Sequence, residues 1–234
     1  MDSLGYKNTA NAAPWPVSGG EAAWAALRDD VGAFVALLSR AGGFVHTGPG
    51  VADVLGGSHA FPPGVTFETL FGPDFAAERS AAITRACAGE KPVRLLSMIN
   101  GVLLTESYRA LGTLRADAAV LWTARPVSLE GDFPAFAAPE REVARVHHLG
   151  PLATLTEREL ELLHHIGMGR TSDETAKLMH RSTRTVEWHR ASLGQKLRCE
   201  NRVQLARIAV RAGLSAVDIE FIRAVYHASP KPKA

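Results

Sequence analysis

With 234 residues, 46% of them hydrophobic and 21% charged, the chain can bury a core without staples and divides most simply into two domains. Two cysteines, Cys87 and Cys199, exclude a disulfide framework and lead us to expect a reducing, cytoplasmic setting; no run approaches the ~20 apolar residues of a bilayer span, so no membrane partner is expected. The net charge of +2 conceals an asymmetry: residues 1–150 carry 12 basic and 15 acidic side chains, whereas residues 151–214 carry 11 and 7, so the C-terminal part is the one that favours a polyanion.

Residues 1–20 are small and polar and predict a flexible tail. Residues 21–128 mix strand and helix signals. GAFVALLS (Gly32–Ser39) is an apolar run of strand length, RAGG is a turn, and FVHT is a second short strand. Pro49–Leu55 suits one or two helical turns. GPDFAAERSAAITRACAGE aligns Phe75, Ala82, Ile83 and Ala86 on one face of a helix that Gly89 stops. VRLLSMI, GVLLTESYRAL and AAVLWTARPVS read as three strands, the first two joined by Asn100-Gly101, a hairpin turn. Together these predict an α+β domain, an antiparallel sheet with helices on one side. Residues 129–151 hold three prolines and predict a linker, with Pro139–His148 as a candidate helix.

The next sixty residues predict four short helices. Leu155-Thr156-Glu157-Arg158-Glu159-Leu160 is a capping box with a hydrophobic staple, followed by Leu163 and Ile166 on a buried face and stopped by Gly167 and Gly169. Thr171 and Glu174 form a second capping box. Ser182 caps a third helix running to about Leu197, and Asn201 opens a fourth that ends at Gly213. A very short turn separates the second from the third, the spacing of a helix-turn-helix. On the third helix, with Val186 at 0°, Leu193 falls near 340° and Leu197 near 20°, at ~100° per residue, so these face the core. Arg184, Ala191, Gln195 and Trp188 lie opposite, Glu187 at the edge, and Arg181, Arg190, Lys196 and Arg198 flank them. Base edges call for donors and acceptors on a protruding helix, and phosphates call for cations on its rim. Past Gly213, residues 215–234 predict one more amphipathic helix, packing back on the module or adding to a dimer interface.

Residues 152–214 resemble the LuxR/FixJ-type helix-turn-helix domain of bacterial transcription regulators. The resemblance rests on LTERELELL, on Gly169 with ETA, on Thr185, Val186 and His189, on Lys196-Leu197 and on Asn201-Arg202. It implies a dimer on a two-part site of double-stranded DNA, the third helix entering the major groove. Base reading is then expected from Arg184, Glu187, Trp188 and Ala191, and backbone contact from Arg181, Thr185, His189, Arg190, Lys196 and Arg198. Two departures are Glu187, where a basic residue is common, and Thr175, which replaces an aliphatic residue and implies a looser core. Residues 21–128 resemble a PAS domain in the order of their elements: FVALLSRAGGFVHTGPGVADVLG is similar to its opening hairpin and short helix, and GVLLTESYRAL and AAVLWTARPVS to its last strands. That resemblance implies a sensor for a ligand, cofactor or partner, with a small molecule as the candidate.

The cofactor stays open. A flavin photosensor needs a reactive cysteine in its own short motif, which Cys87 lacks; haem needs an axial ligand, for which His46 and His59 qualify by type alone. The adjacent histidines 147–148 and 164–165 point to different faces and make poor metal ligands. Arg158 and Arg170 read as solvated charges. No nucleotide loop or hydrolase motif is present, so no enzyme is expected. The expectation is a one-component transcription regulator; the alternative is a ligand-binding or protein-interaction adaptor whose helix-turn-helix no longer binds DNA.

Overall fold

The computed structural model describes residues 32–57, 61–62, 64–89, 91–112, 120–127 and 141–230; the tail at 1–20 and most of the linker at 129–140 lie outside them. The first domain opens with the hairpin β1 (Phe34–Leu38) and β2 (Phe44–Thr47). Helices α1 (Val51–Leu55), α2 (Phe67–Phe71) and α3 (Pro73–Ala88) follow, then β3 (Val93–Ile99), β4 (Val102–Ala110) and β5 (Val120–Pro126). These five strands are ordered β2-β1-β5-β4-β3 in the sheet, each antiparallel to its neighbours among them. At the β3/β4 turn Asn100 has φ 49° and Gly101 φ 78°, the two left-handed positions that an Asn-Gly hairpin supplies. The sequence signals do not predict α2, whose five residues are held by a capping box between Thr66 and Thr69.

Strand alternation sorts the side chains onto two faces. Ala36, Leu38, Leu95, Ile99, Leu104, Tyr108 and Trp122 meet Phe67, Phe75 and Ile83 beneath α1–α3. The opposite face is where the fold departs from a sheet with helices on one side. Met98 and Leu103, both fully buried there, belong to the core of the C-terminal helices. Leu103 N–H donates to the Ala212 carbonyl at 3.0 Å, so the two domains share backbone hydrogen bonding as well as apolar contact.

The candidate helix at 139–148 is not formed in its described part. Glu142–Val143 is instead a short strand, β6, parallel to β3 at the sheet edge. The reason is that the sheet and α3 already satisfy this backbone. Ala144 N–H donates to Leu96 O at 3.0 Å and His148 N–H to Met98 O at 2.8 Å. The Glu78 carboxylate accepts the N–H groups of Arg145 (2.7 Å) and Val146 (3.1 Å). The approach to the C-terminal domain is therefore a strap along the first domain.

The C-terminal domain comprises α4 (Glu157–Gly167), α5 (Ser172–Leu178), α6 (Thr183–Leu197), α7 (Arg202–Arg211) and α8 (Ile219–His227), with 3-10 turns at Gly150–Thr154 and Leu214–Ala216. The capping boxes at Thr156 and Thr171 form as the sequence predicts, and Ser182, Asn201 and Asp218 cap α6, α7 and α8. Leu155 and Leu160, the staple pair, are both buried in the same core. Helix α8 packs back on the module, burying Ile222 and Val225, and Arg223 reaches Glu161 at 2.6 Å. Thr175 does not loosen this core: it is 1% exposed, and its hydroxyl donates to Thr171 O at 2.8 Å. Arg158 and Arg170 are not plain solvated charges either, since Arg158 bonds Glu161 at 2.7 Å and Arg170 lies 2.7 Å from His165 Nδ1. Among the described residues no helix is long and apolar enough to cross a membrane.

Candidate nucleic-acid interface

Helices α5 and α6 are separated by the turn Met179–Ser182. His180 takes φ 52° there, and Arg181 N–H donates back to Ala176 O at 2.9 Å. This left-handed residue stops α5 and lets Ser182 start α6, its hydroxyl accepting from Thr185 N–H at 3.2 Å. The first turns of the two helices are tied outside the core as well. Thr183 Oγ1 donates to Asp173 Oδ1 at 2.7 Å, and Ser172 Oγ donates to Glu187 Oε1.

Helix α6 divides as its angular pattern demands. Val186 (2% exposed) and Leu193 (0%) are interred, with Leu197 packed beside them. Trp188 is 68% exposed, and Arg184, Ala191 and Gln195 are exposed on the same outward side. A tryptophan this open, on a helix whose core face is already filled, contributes little to the packing of its own domain.

The predicted contact residues fall into two groups. Arg181, Arg184 and Arg198 are exposed, and their side chains form no hydrogen bond or ion pair among the described residues. They and Trp188 and Ala191 are available to a partner. The rest are engaged within the domain. Lys196 Nζ lies 2.6 Å from Glu159 Oε2, a carboxylate only 4% exposed. Burial alone would raise the pKa of Glu159, but hydrogen bonds from Lys196, Ser192 and Thr156 outweigh it and hold it at about 2. Arg190 grips Glu187, Nε at 2.8 Å and Nη2 at 2.7 Å. Hydrogen bonds from Ser172 and Arg190 lower the Glu187 pKa. Thr185 Oγ1 lies 2.8 Å from Ser182 Oγ, and half-buried His189 packs its ring against Trp188 at 5.0 Å. Ser172, which fixes Glu187, carries no sequence signal, because its partner lies on another helix fifteen residues away.

On the sensor side, His46 is half-buried on β2, His59 lies outside the described residues, and Cys87 is half-buried against the aromatic core. Among the described residues no group of three His, Cys, Asp or Glu side chains is placed to hold a metal ion.

Residues 153–209 match the family model of bacterial regulatory proteins, luxR family. A comparison with curated proteins returns no match. Among solved structures, the Vibrio cholerae VqmA dimer in the absence of target DNA is 18% identical, with 86% of this chain and 92% of that chain covered and a TM-score of 0.39. A phage VqmA–DPO complex is 18% identical, with 87% and 95% covered and a TM-score of 0.40. A domain of an HTR-like protein from Haloarcula marismortui is 17% identical, with 41% and 98% covered and a TM-score of 0.37. At such scores the fold is read from the chain's own strand order and packing.

Proposed function

We propose that the chain is a one-component transcription regulator: a PAS-like domain senses a signal and controls how a luxR-type helix-turn-helix engages double-stranded DNA. The observation that carries the DNA reading is the outward face of α6. Trp188 and unpaired Arg184 stand in solvent while Val186 and Leu193 hold the helix down. A helix anchored on one side, with a free guanidinium, an aromatic ring and a small alanine on the other, suits a major groove. The rim arginines 181 and 198 suit phosphates. Working as a homodimer, the protein would present two such helices to an inverted repeat.

The order of elements in the first domain supports the PAS-like reading: an opening hairpin, short helices, then three strands that close the sheet. The shared core at Met98 and Leu103 supports control by packing. A signal that alters the sheet or α3 would reach the second domain through the strap and this joint, biasing one arrangement over another. The ligand is a small molecule of unassigned class.

The test is fluorescence anisotropy on a labelled mixed-sequence duplex at several salt concentrations, for the protein and for Arg184→Ala. Binding should weaken steeply with salt, and the variant should lose about 1–3 kcal/mol and shift sequence preference. Binding no tighter than that of any weakly basic protein, and unaltered by the variant, would favour an adaptor that has lost DNA.

A further inference from the structure

Glu187 is the one carboxylate on the outward half of α6, and its position raises the question of what an acid does on a surface built for a polyanion. Read alone it is a base reader that accepts from cytosine. The geometry argues otherwise. Oε1 is taken by the Ser172 hydroxyl of α5, and Oε2 by both Nε and Nη2 of Arg190, one turn along α6. Neither oxygen is left free of a donor. The planar fork of an arginine on a carboxylate is the same geometry it would offer a phosphate, so the two acceptors compete for one guanidinium. The side chains are about two-fifths exposed, 37% for Arg190 and 41% for Glu187, so the guanidinium lies where a phosphate could reach it once the carboxylate lets go.

From this three-residue bridge we infer that Glu187 is a positioning residue that withholds Arg190 from the DNA backbone, and so limits sequence-blind binding. The inference rests on the DNA reading above and assigns Glu187 a role opposite to contact. Ser172 matters because it anchors the carboxylate to the neighbouring helix. Glu187 therefore stays over Arg190 instead of rotating toward solvent. Base reading is left to Arg184, Trp188 and Ala191. Non-specific affinity is set by phosphate neutralisation, one released counterion for each cation committed. Holding one arginine back subtracts one such contact from every duplex equally, and leaves the contribution of base-reading groups intact.

The experiment compares the full-length protein with Glu187→Gln, Arg190→Ala and the double variant, on a labelled duplex pool of random sequence, by anisotropy across salt. Releasing one arginine should steepen the slope of log K against log salt by about 0.9, an additional loss of about 3.5-fold between roughly 50 and 200 mM. Glu187→Gln should show this steeper slope and tighter binding at low salt. Arg190→Ala alone should leave the parent slope unchanged, and the double variant should return to it. A Glu187→Gln slope equal to the parent's would overturn the inference and leave the DNA reading standing. A steep slope retained in the double variant would also overturn it, because the lost carboxylate alone would then account for the change. If the unmodified protein and all variants show no salt-dependent binding, the DNA reading fails and the inference with it. Thermal midpoints of the four proteins control for folding, which a half-exposed pair should alter little.

Discussion

Arg79 of α3 and Glu106 of β4 form an ion pair inside the first domain, Nη2 to Oε1 at 3.0 Å, with both side chains wholly buried. The carboxylate is shared further: Ser97 Oγ and Tyr108 Oη donate to it at 2.6 Å and Trp122 Nε1 at 3.0 Å. Burial opposes the charge on Glu106, yet Arg79 and these donors keep its pKa low, while burial and the Glu106 charge push Tyr108 well up. Arg79 also lies 3.6 Å over the Phe75 ring and donates to Val146 O at 3.1 Å. The same guanidinium thus touches the aromatic core, the sheet and the strap that leads to α4.

Removing one partner of such a pair and leaving a buried charge uncompensated costs about 3–5 kcal/mol, an upper bound here because Arg79 also bonds Glu78, Nη1 to Oε2 at 2.8 Å. Glu106→Gln should therefore destabilise the protein by up to about that amount in urea unfolding followed by circular dichroism. The double variant Arg79→Met with Glu106→Gln, which removes both charges and keeps an acceptor for Ser97, Tyr108 and Trp122, should cost less than the sum of Arg79→Met and Glu106→Gln. A strictly additive cycle would show that the two groups do not depend on each other.

Gly213 lies where the C-terminal domain comes close to the first. Its φ is 73°, and a Cβ built there would lie 2.9 Å from Leu103 Cβ and 3.1 Å from Val127 O. Gly213→Ala imposes both a left-handed alanine and a clash with backbone, so the joint must open or strain. The expected outcome is faster hydrogen exchange at the Leu103 amide, which donates to Ala212 O, without faster exchange at Leu37 or Thr123 in the paired strands β1 and β5. Equal protection in both proteins would mean that the joint tolerates the methyl group.

What the sequence disclosed and what it concealed differ by range. The capping boxes at Thr156 and Thr171, the Asn100-Gly101 hairpin and the inward face of α6 are local patterns, and a few neighbouring residues specify each. The strap at 142–148 was concealed because its hydrogen-bonding partners, Glu78, Leu96 and Met98, are some fifty to seventy residues away. Its own residues, EVARVHH, carry an ordinary helical mixture. In the same way the spacing exposes the cations of α6 but not their partners. By residue type Arg190 and Lys196 are cations like Arg184, set on the flanks of the outward stripe, and only the fold places Glu187 and Glu159 against them.

His180 illustrates a local feature that residue type hides. It occupies the left-handed region at φ 52° in the turn between α5 and α6, where a side chain strains the backbone by about 1–2 kcal/mol. Its side chain is exposed. Glycine would relieve the strain but lose more chain entropy on folding, so His180→Gly should stabilise the domain by up to about 1 kcal/mol. A differential scanning trace checks this: the midpoint should rise by a few degrees, and a fall would show that the histidine ring supplies more than its backbone costs.

His147 makes the strap sensitive to acid. It is 1% exposed, its Nδ1 accepts from Met98 N–H at 3.2 Å, and its ring lies 6.2 Å from Phe221 of α8. Burial, with a further push from Arg79 that Glu106 only partly offsets, lowers its pKa from 6.5 to about 4. The unfolded chain therefore binds the proton more tightly. Stability is complete above about pH 6.5 and falls as the pH drops toward about 4, by up to about 3 kcal/mol for this group. A proton on Nδ1 would also remove the acceptor for Met98 N–H, so the loss should begin at the strap. Urea midpoints measured at about pH 7.5 and about pH 5 should differ less for His147→Gln, whose side-chain carbonyl can still accept that bond. Some dependence should remain, because burial and its neighbour His164 lower His165 to about 4 as well. An undiminished difference in the variant would place the acid sensitivity elsewhere than at His147.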